Sequence, residues 1–295
     1  MKEQTKGLIY GAVASSSYGT NPLFALPLYA AGIGINSVLF YRYALAVLIY
    51  GIWLKLIKKT SLKLEQNEVL PLFFLGILFS LSSLTLFGAF KYIDAGIACT
   101  ILFIYPVLVA LIMATFFKEK LTKTIVGSIL LISIGIILLY KNGGGAGLNL
   151  HGVLIVLLSA LLYAVYMVGV KTIKSIKDMG SEKMSFYVML FGLLVYIINL
   201  KFCTQLQMLN RPILWGYSFG LALLPTIISI ETINIAIKLI GSTKTAIFGA
   251  LEPITALIFG VALFHEHLSV RICFGILLII LAVSIVVLNN SKKSK

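Results

Sequence analysis

The sequence predicts an all-α integral membrane protein of about ten transmembrane helices, arranged as two inverted five-helix repeats around a central cavity. Three observations carry that prediction: an extreme hydropathy, a lopsided distribution of lysine and arginine between alternate loops, and an internal match between the two halves. Of 295 residues, 60% are hydrophobic and 12% charged, with a mean hydropathy of +1.04, far from the balance of a soluble domain. A helix crossing a hydrocarbon layer of about 30 Å needs about 20 mostly apolar residues, so a chain of this length has room for about ten crossings with short loops.

The apolar runs place spans at 7–28, 35–57, 69–90, 95–117 and 123–140, and after the glycine-rich stretch 141–147 at 151–172, 184–203, 212–237, 241–264 and 268–289. The expected organisation is a first repeat over 1–140, an external linker over 141–150 and a second repeat over 151–295. The linker lacks the Gly-Lys-Ser/Thr ending of a phosphate-cradling loop. Lys2 and Lys6 before an apolar stretch, with Ala12-Val13-Ala14 after it, imitate a signal peptide. The apolar run continues to about Leu28, however, which reads as a span.

Loop charge fixes the expected orientation. One set of alternate loops and termini holds 18 lysines, from Lys2 and Lys6 through Lys55–Lys63, Lys118–Lys123, Lys171–Lys183, Lys238 and Lys244 to Lys292–Lys295. The other holds five basic residues, Lys91, Lys141, Lys201, Arg211 and Arg271, and Arg42 falls inside the second span. Positive charge is retained on the cytoplasmic side, so both termini are expected in the cytoplasm of a cell-membrane protein, an inner-membrane one if the cell has two membranes. The formal net charge of +14 therefore punctuates spans rather than forming a nucleic-acid face, and no nucleic-acid partner is expected. Three cysteines, Cys99, Cys203 and Cys273, lie in or beside apolar segments and suggest neither a disulfide framework nor a zinc site.

Sliding residues 89–122 by 147 positions superimposes Pro106 on Pro253, Glu119 on Glu266 and Lys91 on Lys238. Matches at Pro and Glu carry weight in a chain with seven prolines and ten acidic residues. Five spans per repeat is an odd number, so the copies should face opposite ways, the arrangement in which substrate sites lie near the midplane. Consistent with inversion, Lys118-Glu119-Lys120 in an expected cytoplasmic loop corresponds to His265-Glu266-His267 in an expected external one. That His-Glu-His run lacks metal-site spacing, so no metal and no cofactor is expected.

Ionisable side chains within hydrocarbon are expensive and need a partner, a polar cavity or an escape to the interface. At about 1.5 Å per residue, Glu252 falls near the midplane, Glu231 nearer the cytoplasm and Arg42 in the outer third. Glu252 is the leading candidate for substrate binding or coupling, and Glu231 follows. Arg42 either holds a carboxylate bidentately or snorkels to the external surface. Pro253 and Pro106 each deprive the carbonyl four residues back of its donor and are expected to kink helices nine and four, opening a cavity. The repeat partner of Glu252 is Tyr105, so that cavity should be chemically lopsided. Tyr18 and Asn21 in the first span, and Tyr163 and Tyr166 in the sixth, are secondary site candidates.

These motifs together resemble the EamA-type branch of the drug/metabolite transporter superfamily. The resemblance rests on Tyr18-Gly19-Thr20-Asn21, on Arg42 within Phe40–Ala46, and on Ala89–Ala95. It rests further on Pro106 with Phe117–Leu121, and on Glu252-Pro253 with Phe264–Leu268. It covers nearly the whole chain, with Tyr18 where the family often has tryptophan. It implies alternating-access export of small metabolites such as amino acids or amphiphilic compounds, without covalent chemistry, and leaves proton coupling open. The alternatives are an importer or a lipid-linked sugar flippase, or, from another class, a membrane enzyme. Against the enzyme, His151, His265 and His267 all lie near span ends.

Overall fold

In the computed structural model, the structure describes residues 3–93, 98, 101–120, 122–139 and 149–252, with 254, 255, 258, 259, 270, 271, 274, 275, 277, 278, 280–282 and 285. Pro253, the linker residues 141–148, His265-Glu266-His267, Cys99 and Cys273 lie outside them. The described chain is helical: α1 Glu3–Tyr18, α2 Asn21–Ala30, α3 Ile35–Ile52 with a π-helical continuation Trp53–Lys58, and α4 Gln66–Ala89. Then come α5 Tyr105–Phe117, α6 Lys123–Leu139, α7 Leu150–Thr172, the short α8 Lys174–Lys177 and α9 Ser181–Asn199. Last are α10 Pro212–Ala222, a π-helical turn Leu223–Ile228, α11 Ser229–Ile240 and α12 Ser242–Phe248.

Among the described residues, five helices are long and apolar enough to cross a membrane: Ile35–Lys58, Gln66–Ala89, Leu150–Thr172, Ser181–Asn199 and Pro212–Ile240. Their outward faces are apolar too, as at Leu70, Leu154 and Ile198, which suits a lipid solvent. Helix ends carry local signals. Glu65 and Glu68 form a reciprocal capping box at the start of α4, and the Asn149 side chain accepts from the His151 and Gly152 amides at the start of α7.

The central helix α4 packs against α7 and α9, and glycines set the spacing. A Cβ on Gly76 would lie 2.8 Å from the Val188 carbonyl oxygen, so α4 and α9 approach backbone to backbone. Across their joint, Ser82 and Ser159 exchange hydroxyl bonds between α4 and α7, at 3.0 and 2.7 Å to each other's carbonyls. At the lysine-poor end, Gln207 straps the loop after α9 onto the α2–α3 turn. Its amide donates to Ser37 Oγ (3.1 Å), its carbonyl accepts from Tyr41 Oη (3.0 Å), and its side chain bonds Gly34 and Gly32.

Several spans expected to be continuous are not. The span 7–28 is two helices parted at Gly19-Thr20, and 95–117 is interrupted by a turn at Phe103-Ile104 before α5. The span 241–264 breaks at Gly249-Ala250 after α12, and 212–237 contains the π-helical turn. Hydropathy sums over such breaks without registering them, because a turn inside a protein interior needs no change of polarity. The span 184–203 stops at Asn199, where Lys201, Phe202 and Cys203 adopt left-handed φ of 47°, 55° and 66°.

Candidate functional site

The three interruptions meet. At the first, Pro22 has no N–H for the Tyr18 carbonyl, and the chain turns through bonds from Gly19 N to Ser15 O (2.9 Å) and Thr20 N to Ser17 O (3.2 Å). At the second, Ile104 N reaches back to Ile101 O (3.1 Å), and α5 starts afresh with Pro106 in its first turn. Pro106 was expected to kink a continuous helix. It stands instead where a helix has no use for the missing donor. At the third, Gly249 N bonds Ala246 O (3.1 Å) and Glu252 N bonds Gly249 O (2.9 Å).

Glycine permits the convergence. A Cβ on Gly19 would sit 2.6 Å from the Glu252 carbonyl oxygen and 2.8 Å from Thr255 Cβ, so only a glycine lets the first break touch the third. A Cβ on Gly249 would coincide with the Tyr105 hydroxyl, which ties the second break to the third in the same way.

Around this crossing lies a pocket of about 680 Å³, its mouth included, lined by Tyr18, Gly19, Asn21, Pro22, Tyr29, Phe87, Phe90, Leu102, Phe103, Tyr105 and Glu252, with Ala25, Leu26 and Leu86. The walls are aromatic and aliphatic, and Glu252 is the one carboxylate among these lining residues. A largely apolar cavity with a few polar groups is the usual form of a small-molecule site. The lining comes from the last turn of α4, from α2 and from the residues at the breaks, and Leu86, Phe87 and Phe90 place it toward Lys91 and the lysine-poor end.

The structure brings four of the sequence candidates, Tyr18, Asn21, Tyr105 and Glu252, to this one pocket. Tyr163 stands behind Tyr105, ring centroids 4.8 Å apart at 71°, and Tyr166 stacks on Tyr163 at 6.2 Å. Neither of these lines the pocket. Arg42 does not snorkel to the surface. It is wholly buried, with Nε donating to Thr226 Oγ1 at 2.6 Å, Nη2 to the Pro225 carbonyl at 2.9 Å, and its guanidinium over the Tyr18 ring at 5.6 Å. Glu231 lies apart from the pocket, near the lysine-rich end, accepting from Tyr50 Oη at 2.7 Å.

Sequence reasoning missed Tyr29 and Phe87 of the walls, Gly249 beneath Tyr105, and the partners Thr226 and Tyr50. A signal for the first partner was present, since Pro225 lies in the middle of the span 212–237.

A sequence model of the EamA-like transporter family matches this chain twice, over residues 5–141 and again over 150–288. The chain belongs to the EamA-like transporter family. The chain is 27% identical over 285 residues to an uncharacterized transporter, YyaM, of Bacillus subtilis (strain 168), covering 93% of this chain and 92% of that one. The fold is shared with a crystal structure described only as that of a protein, with a TM-score of 0.76 over 99% of each chain at 17% identity. The two matched copies give the internal repeat a concrete meaning: Tyr105 and Glu252, related by the shift of 147 positions, line the same pocket of this EamA-like membrane transporter.

Proposed function

We propose that this EamA-like protein exports small metabolites such as amino acids or amphiphilic compounds by alternating access, through ten helices in two oppositely oriented five-helix copies. The observation that carries the reading is the pocket itself. Three interrupted helices deliver one carboxylate, Glu252, to a largely aromatic and aliphatic cavity that also holds Asn21. Interrupted helices at midplane depth are how transporters expose polar groups to a substrate without exposing them to lipid.

With the lysine-rich end in the cytoplasm, the pocket faces outward in this state, and both termini are cytoplasmic. The residues expected to meet substrate are Glu252, Tyr105, Tyr18 and Asn21. Tyr163 supports Tyr105, and Arg42 supports Tyr18 from behind.

The test is Glu252→Gln, which keeps shape and hydrogen-bonding capacity while removing ionisation. Metabolites are compared in the medium of cells lacking the protein, overproducing it and overproducing the variant. The expected result is a compound whose export rises with the protein and falls strongly with the variant at equal abundance. A medium unchanged by overproduction would remove the exporter reading. Normal export by Glu252→Gln would remove the carboxylate from it.

A further inference from the structure

Two helices are built from two pieces each, and the pieces pair. α1 packs along α11, where Gly7 lies so close to Leu239 that a Cβ would come within 2.9 Å of the leucine Cβ. Beyond the breaks, α2 packs on α10, where Gly220 seats the Phe24 ring. The joints are Gly19-Thr20 in one helix and the π-helical turn Leu223–Ile228 in the other. The turn has a local cause: Pro225 cannot donate to Leu221, and the Thr226 hydroxyl takes over that carbonyl at 2.8 Å. Arg42 of α3 grips both joints, through Pro225 and Thr226 on one side and the Tyr18 ring on the other.

The pair α1–α11 runs from the pocket toward the lysine-rich end, where Lys6 and Lys238 lie, and α11 is held there by directional polar contacts. Tyr50 of α3 donates to Glu231 at 2.7 Å. One turn on, Asn234 accepts from Tyr166 of α7 at 2.6 Å and donates to Ser185 of α9 at 3.0 Å, all three residues fully buried. Lys238 donates to the Met179 carbonyl. In a bundle solvated by lipid, apolar contact between helices brings no hydrophobic gain, so side-chain bonds of this kind are what fix α11 on its neighbours.

Resting on the alternating-access reading above, we propose that α1 and α11 move as one gate on the lysine-rich side, hinged at Gly19-Thr20 and at Leu223–Ile228. Tyr50–Glu231 and the Asn234 bonds to Tyr166 and Ser185 are the latch that holds it shut in this structure. Tyr50, Glu231 and Asn234 thus act on access to the pocket and not on the substrate.

The test reads access without needing transport. With the native cysteines replaced by serine, Leu86→Cys supplies a single thiol in the pocket wall, labelled with a membrane-impermeant maleimide from either side of sealed vesicles. Tyr50→Phe combined with Asn234→Ala is expected to raise labelling from the lysine-rich side about tenfold and to lower it from the other side. Glu231→Leu should do the same, whereas Glu231→Gln, which keeps an acceptor for Tyr50, should stay close to the parent. Tyr187→Phe removes a hydroxyl bond of the same end, to the Leu62 carbonyl, that does not involve α11, and should leave labelling unmoved. Unchanged labelling in a double variant that purifies as a monodisperse protein would overturn the latch. So would an equal rise with Tyr187→Phe, which would mean general loosening. Shifted labelling in a protein that exports nothing would leave the gate standing and remove the exporter reading.

Discussion

At the scale of single residues, the pocket depends on what is absent as much as on what is present. Gly249 has the Tyr105 hydroxyl where a side chain would begin. Gly249→Ala is therefore expected to destabilise the protein by about 1–3 kcal/mol through overpacking, and Tyr105→Phe should restore part of that loss in the double variant. Thermal melting of the detergent-purified proteins measures both. Arg42 illustrates how far residue-level reading reaches. Its charge inside a span marked it as costly and in need of partners, yet Thr226 lies 184 positions away, and no spacing rule links the two. Arg42→Lys keeps the charge but loses the fork that serves Thr226 and Pro225 together, for an expected loss of about 1.5–3 kcal/mol in the same assay.

At the scale of elements, the prolines at the breaks and at the π-helical turn have two meanings, and position decides between them. Pro106 and Pro22 sit in first turns, where a helix needs no donor, while Pro225 lies between α10 and α11 and forces the π-helical turn. Pro106→Ala should change thermal stability by less than about 1 kcal/mol. Pro225→Ala returns an N–H to the Leu221 carbonyl, should regularise the turn and pull its carbonyl from Arg42, and should slow transport at normal abundance. Initial transport rate per unit of membrane protein is the measurement. The sequence showed that both prolines lay inside apolar spans. It did not show that one span was already broken before its proline, because Phe103 and Ile104 read like any other helix residues.

At the scale of the whole molecule, the lysine bias makes the sharpest statement. Reporters fused after Lys63 and after Lys177 should both register in the cytoplasm, and one after Gly145 on the outside. A cytoplasmic Gly145 would overturn the proposed inversion of the two copies. Within the bundle the copies do not stand side by side as separate bodies. α4 of the first packs chiefly against α7 and α9 of the second, and α1 against α11. Such interleaving suits a transporter, since any movement of one copy alters the walls supplied by the other.

The sequence by itself determined the solvent, the helical class, the two related copies and the acidic residue that would be expensive to bury without a purpose. Each follows from free energies that depend on residue type and order along the chain: transfer to hydrocarbon, loop charge and the missing donor of proline. Only the tertiary structure decided that three helices break at one place, that Tyr105 and Glu252 share a pocket, and that Glu231 belongs to a different cluster with Tyr50. These are matters of which apolar face meets which, and in a chain apolar on nearly every face hydropathy cannot choose among them. Close approach at glycine and a few buried hydrogen bonds make the choice, and both depend on partners distant in sequence.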